Sequence, residues 1–136
     1  IGGALSSYTA SEDGTLGVVS GSVPDFQAAA CWVVITRNGR HAFVSNPGSS
    51  SVSSYRIGSD GTLTLLDSVA ASVVGGAGEP GHGLDMALDK SGRYLYVHAA
   101  GIQAIAAFRV GRDDGSLTPV GITGGLPFAA QGIAAR

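Results

Sequence analysis

Short apolar runs alternate with Gly-, Asp- and Asn-bearing turns along the whole chain, and this spacing predicts strands. Cys31-Trp32-Val33-Val34-Ile35 is nearly continuously apolar, as a strand buried on both faces would be, and predicts a first strand over 31–36. Asn38-Gly39 supplies the positive φ that a tight hairpin needs. A second strand follows over 40–46 and is broken by Pro47-Gly48-Ser49-Ser50. Over 51–58, Val52, Ser54 and Arg56 alternate with Ser53, Tyr55 and Ile57. Asp60-Gly61 then turns the chain into a fourth strand over 62–67.

The same pattern recurs downstream. Leu84-Asp85-Met86-Ala87-Leu88, Ser91-Gly92-Arg93 and Leu95-Tyr96-Val97 repeat the first two strands and their turn. Ile105 to Val110 with Asp114-Gly115-Ser116-Leu117 repeats the second two. Strands are therefore expected near 84–89, 93–99, 104–110 and 116–121. An incomplete earlier copy opens the chain, Leu5-Ser6-Ser7-Tyr8 with Asp13-Gly14-Thr15-Leu16, and Gln131-Gly132-Ile133-Ala134-Ala135 reads as the first strand of a further unit. Four short antiparallel strands per ~45–50 residues mark a β-propeller blade. The expected class is all-β, about three blades: the end of one over 1–30, full blades over 31–83 and 84–131, and one strand over 132–136. Propellers close with roughly four to eight blades. Either missing blades or self-association is then needed to complete a ring.

Composition narrows the class further. With 44% hydrophobic and 13% charged residues the chain is globular, and its 22 glycines suit many tight turns. A net charge of −2 gives no electrostatic reason to expect nucleic acid or an anionic membrane as partner. No apolar stretch approaches the ~20 residues of a membrane-spanning helix. Cys31 is the single cysteine, so no internal disulfide forms, and its apolar setting predicts a buried structural thiol. The chain opens on Ile1 without Met, which suggests a processed or truncated product and assigns no compartment.

The order Trp-Val-Val-x-Thr, Asn-Gly-Arg-x-Ala-x-Val-x-Asn, Gly-Ser-x-Ser-Val-Ser-x-Tyr-Arg-Ile, Asp-Gly-x-Leu resembles the bacterial lactonase family of seven-bladed β-propellers. That family includes propeller-type 6-phosphogluconolactonases and is related to fungal carboxymuconate-lactonising enzymes. The resemblance covers essentially the whole chain and implies roughly the last three-sevenths of a seven-bladed ring. It also implies that the last strand completes a blade begun by the chain's amino-terminal strands. The motifs are structural, and one scaffold hosts many activities.

In a propeller, ligand sites gather where the fourth-to-first and second-to-third strand loops meet around the channel. Those loops are expected at 68–83, 118–132, 46–51 and 98–104, with the Asn-Gly, Ser-Gly and Asp-Gly turns at the opposite end. His82 is the leading catalytic candidate: it precedes a first strand, and Pro80-Gly81-His82 matches a Pro-x-His element often found in propeller lactonases. A histidine there can polarise a lactone carbonyl or activate water, or it can simply hold the loop to the neighbouring blade. Asp85 follows on the inward strand, where it would orient water or His82, or bind neighbouring amides. Glu79, His82 and Asp85 make only a weak cation-ligand set, so neither metal nor cofactor is expected. His98, Asn46 and Gln131 are weaker ligand-binding candidates, with Gln27 in a similar place, whereas His41 is expected at the surface. The acid that the family often carries after the second-strand asparagine is replaced by Pro47 and Ala100, and the expected loops hold no arginine.

Two functions remain open. One is a lactone hydrolase, or a lactonising isomerase, acting on a small-molecule lactone at the channel mouth. The other is a non-catalytic platform for protein or polysaccharide. The Gly/Ala-rich segment 69–81 suits either, as a lid or as a contact surface.

Overall fold

The computed structural model describes residues 2–136, and Ile1, at the head of the expected 1–30 unit, lies outside them. Strands β1 (Gly2–Ala10) and β2 (Leu16–Ala28) form a two-stranded sheet. Strands β3 (Trp32–Ile35), β4 (His41–Asn46), β5 (Ser51–Ile57) and β6 (Leu63–Ser72) form a four-stranded sheet hydrogen-bonded in chain order. Strands β7 (Gly83–Leu88), β8 (Tyr94–Ala99), β9 (Ala104–Val110) and β10 (Leu117–Gly124) form another of the same plan. All pairings are antiparallel. The helical turns among the described residues are the 3-10 segments Pro47–Ser49 and Ala100–Ile102. These are propeller blades, two of them complete.

The strands differ from the sequence expectation at the edges. The fourth strands run longer, β6 to Ser72 and β10 to Gly124, because register shifts along β5–β6 and β9–β10 absorb an extra residue and let pairing continue. The first strand β3 is the more telling correction. Trp32, Val33 and Ile35, on the edge strand of their sheet, are 46%, 46% and 57% exposed. Burial on both faces belongs instead to β4, where all six residues from His41 to Asn46 are buried. Cys31, at the mouth of β3, is exposed rather than buried. Segment 131–136 forms no strand, and residues 132–136 line a pocket with Tyr96, Ile105, Leu126 and Ala130.

Period-2 alternation along β4 splits its side chains between two cores. Ala42 and Val44 pack with Tyr55 toward the β1–β2 sheet, meeting Leu5 and Val23. Phe43 points the other way and packs with Val52, Val73, Met86, Val97 and Phe108, between the two full blades. Each fully buried side chain of this size contributes roughly 1.5–3 kcal/mol. Polar clips complete the seams: Ser7 Oγ donates to Gly61 O at 2.8 Å, Tyr55 Oη to Val23 O at 3.1 Å, and Ser45 Oγ to Leu84 O at 2.6 Å.

His41 corrects another expectation: it is buried, not at the surface. The turn of the following blade covers it so closely that a Cβ on Gly115 would stand 2.7 Å from His41 Cδ2. Burial holds its pKa below the ordinary 6.5, the Arg40 and Arg56 charges push the same way, and Asp114 and Asp113 oppose.

Candidate functional site at the loop end

The expected loops do meet at one end. Ser50 ends the Pro47–Ser49 turn in the left-handed conformation, φ 50°, and clips both arms of the 73–82 loop. Its carbonyl accepts Val73 N at 2.7 Å and its Oγ accepts His82 N at 3.2 Å. Gln103 ends the matching turn of the next blade with φ 52°, and Gly101 N of that turn donates to Gly81 O at 2.9 Å. Segment 73–81 is a tight miniature hairpin, with Gly75 N on Glu79 O at 2.8 Å and Gly81 N on Val73 O at 2.8 Å. Gly81 is required there, for a Cβ would stand 2.4 Å from the Val73 carbonyl oxygen.

His82 is exposed and sits at φ 45°, a conformation that costs a non-glycine residue energy and persists where the surroundings over-determine it. Two contacts do so. Its Nδ1 lies 2.9 Å from the Pro47 carbonyl oxygen, across the blade boundary. A Cβ on Gly101 would stand 2.6 Å from its Cδ2, so the ring rests against that glycine. A carbonyl oxygen only accepts, so Nδ1 carries the proton of this bond. In the neutral ring Nε2 is then the atom with the free lone pair, the arrangement of an oriented base.

The other candidates are not gathered around it. The orienting bond on Nδ1 comes from Pro47 and not from Asp85, which is half-buried in the bulge where β7 pairing jumps from Gly83 to Met86. Asp85 Oδ2 faces the 125–136 segment, 3.7 Å from where a Gly132 Cβ would lie. Glu79 folds back on its own hairpin, Oε2 accepting Ala77 N at 3.1 Å. Among the described residues no three His, Cys, Asp or Glu side chains cluster as a metal site. Asn46 is buried and spends its Nδ2 on Ser53 Oγ at 2.8 Å and Ser51 Oγ at 3.4 Å, while its Oδ1 has no partner. Gln27 Oε1 joins that network from Ser51 Oγ at 3.1 Å. His98 is buried with Nδ1 unpartnered, and Gln131 is exposed.

Three residues that the sequence did not single out as site candidates matter here. Ser50 and Pro47 position His82, and the signal was available in the break that follows the second strand. Asp25 is fully buried, with Oδ1 accepting Gln27 N at 2.9 Å. Burial first, and the Asp25 charge second, push the Tyr55 hydroxyl up to about 12.

Residues 12–126 match the family described as Lactonase, 7-bladed beta-propeller. The chain belongs to that family. Solved structures agree on the fold: a candidate 6-phosphogluconolactonase from Bacteroides fragilis matches with TM-score 0.72 at 19% identity over 94% of this chain and 35% of its own. A protein from Lactobacillus plantarum gives 0.71 at 19% identity, over 95% of this chain and 38% of its own. The periplasmic gluconolactonase of Pseudomonas aeruginosa gives 0.65 at 19% identity, over 94% and 37%. The chain thus spans little more than a third of these relatives' length. No match was found among functionally curated proteins.

Proposed function

We propose that this lactonase-family chain works in lactone hydrolysis, with His82 as the general base at the channel mouth of a ring completed by further blades. The observation that supports the reading most is the Nδ1–Pro47 bond, which fixes the ring and leaves Nε2 as the free lone pair. Nε2 would take a proton from water as the oxygen adds to the lactone carbonyl. The ring C–O bond then breaks, and the imidazolium returns the proton to the leaving alkoxide. Charge stabilisation of the tetrahedral oxyanion would fall to groups on other blades, because the loops 46–51, 68–83, 98–104 and 118–132 hold no arginine. The isolated chain should accordingly be inactive. The Pseudomonas aeruginosa relative is a gluconolactonase, so sugar lactones are the first substrates to try.

The contacts of His82 also favour a second reading. Its backbone N and its Nδ1 both bind the preceding blade, as in a purely structural strap within a binding platform. Turnover of a panel of sugar and muconate lactones by the ring-complete protein separates the two. His82→Ala should lower kcat by about 10²-fold or more if the residue is the base. A variant that melts earlier yet turns over lactone normally assigns His82 to the strap. An intact wild type inert toward the whole panel removes the enzyme reading.

A further inference from the structure

At the turn end of the blades, away from His82, the two complete blades meet around a cleft that the lactone reading does not use. Arg37 and Asn38 of the β3–β4 turn form one wall. Gly92 of the β7–β8 turn and Arg112 of the β9–β10 turn form the other. The volume is about 310 Å³, and both walls belong to four-stranded blades.

The turns themselves build it. Asn38-Gly39 and Ser91-Gly92 hold matching places in successive blades, and Gly92 takes φ 68°. A Cβ on Gly92 would stand 3.9 Å from Arg37 N, so the second turn rests on the backbone of the first. Buried Thr36, at 8% exposure, and Val110, at 8%, also line the cleft. Asn38 Oδ1 accepts Thr36 Oγ1 at 2.8 Å and Arg40 N at 3.1 Å. Those bonds fix the amide and leave Nδ2 as the donor that faces outward.

Charge in the cleft is of one sign. Its lining among the described residues includes two guanidiniums and no Asp or Glu. Asp89 nearby spends its oxygens on the amides of Ser91, Arg93 and Tyr94, and Asp113 and Asp114 line a separate cleft with Arg56. Two guanidiniums in one cleft repel each other unless an anion stands between them. Their planar forks match the paired oxygens of a phosphoryl group, and their two charges match a phosphate dianion better than a monoanion. The loop end offers no competing attraction, because 46–51, 68–83, 98–104 and 118–132 hold no Lys or Arg.

We propose that this cleft is an oxyanion site that holds a phosphate dianion, free or as the phosphoryl group of a small phosphate monoester, between the two complete blades. Arg37 and Arg112 grip its oxygens from different blades, and Asn38 Nδ2 donates to a third. A ligand held this way ties one blade to the next at the turn end. The inference uses none of the lactone chemistry and stands apart from it.

Isothermal titration calorimetry of the ring-complete protein with inorganic phosphate, at constant ionic strength, tests it. The wild type should bind phosphate about tenfold or more tightly than chloride or acetate. Arg37→Gln and Arg112→Gln should each weaken phosphate binding about tenfold or more, whereas His82→Ala should leave it unchanged. Glycerol phosphate in the same titration separates the two sources: tighter binding than inorganic phosphate assigns the site to a monoester, weaker binding to the free ion. Absence of phosphate binding overturns the proposal, as does equal affinity for chloride or affinity that survives both arginine substitutions. Loss of phosphate binding in His82→Ala overturns it too, since that result places the ion at the loop end. Circular dichroism melts identify any variant that has lost its fold, and Arg112→Gln, on an exposed turn, then carries the test alone.

Discussion

The β3–β6 blade has a neighbour on each side, whereas the β7–β10 blade has one on a single side. Their plans are otherwise the same, down to 3-10 turns that both end in a left-handed residue. In the inner blade the polar position near the end of the second strand is satisfied: Ser45 Oγ donates to Leu84 O of the following blade and accepts Trp32 N at 3.2 Å. In the outer blade the matching residue is His98, whose Nδ1 is buried without a partner. On the outer sides the contrast continues, with Arg56 facing the turn of the next blade and Arg109 facing an open cleft. A blade's sequence thus provides half of each seam, and the neighbour decides whether those groups are paired.

Core truncation should give the largest difference between the blades. Phe43→Ala, at a fully buried side chain between the full blades, should cost about 3–5 kcal/mol in urea unfolding. Val120→Ala on β10, 59% exposed, should stay within about 0.5 kcal/mol. Equal costs would erase the distinction between covered and open blade. At the seam, Ser45→Ala should cost about 1–3 kcal/mol because it strips partners from Trp32 N and Leu84 O. His98→Leu removes a buried unpaired nitrogen and should be neutral or stabilising in the same assay. The smallest effect concerns pH. Because the folded pKa of His41 is depressed below 6.5, the unfolded chain binds the proton more readily. The associated stability is complete above that value and drains as pH falls through the interval beneath it. Melting temperatures from pH 8 to pH 5 should therefore decline, and His41→Gln should flatten the decline.

Much of the fold was legible because turn chemistry is local. Asn38-Gly39 and Asp60-Gly61 announce hairpins whatever surrounds them, and Gly39 and Gly61 indeed take φ 68° and 85°. Burial was less legible, since it depends on what another blade brings. His41 follows a turn and reads as a surface residue until Gly115, more than seventy positions later, closes over it. Cys31 and Trp32 read as core because they are apolar, yet they fall on a sheet edge. For the site, the loop placement of His82 followed from the repeat. Its actual anchor, the Pro47 carbonyl, is a backbone atom that no side-chain pattern could reveal. Asp85 looked like its partner by proximity in sequence, but the β7 bulge turns the local register.

Within every sheet the strands are hydrogen-bonded in chain order, β1-β2, β3-β4-β5-β6 and β7-β8-β9-β10. Each ladder therefore closes only a short loop, and the entropy of bringing distant segments together is nearly absent from sheet formation. Such a chain assembles as hairpins that zip into blades, with the longer-range cost deferred until one finished sheet meets the next. Sheets of this kind stack along one dimension, each holding only its neighbours. In these 136 residues taken alone, unfolding should then begin from the β1–β2 and β7–β10 sheets. The β3–β6 blade, docked on both sides, is the last unit to open and the natural nucleus on the way back.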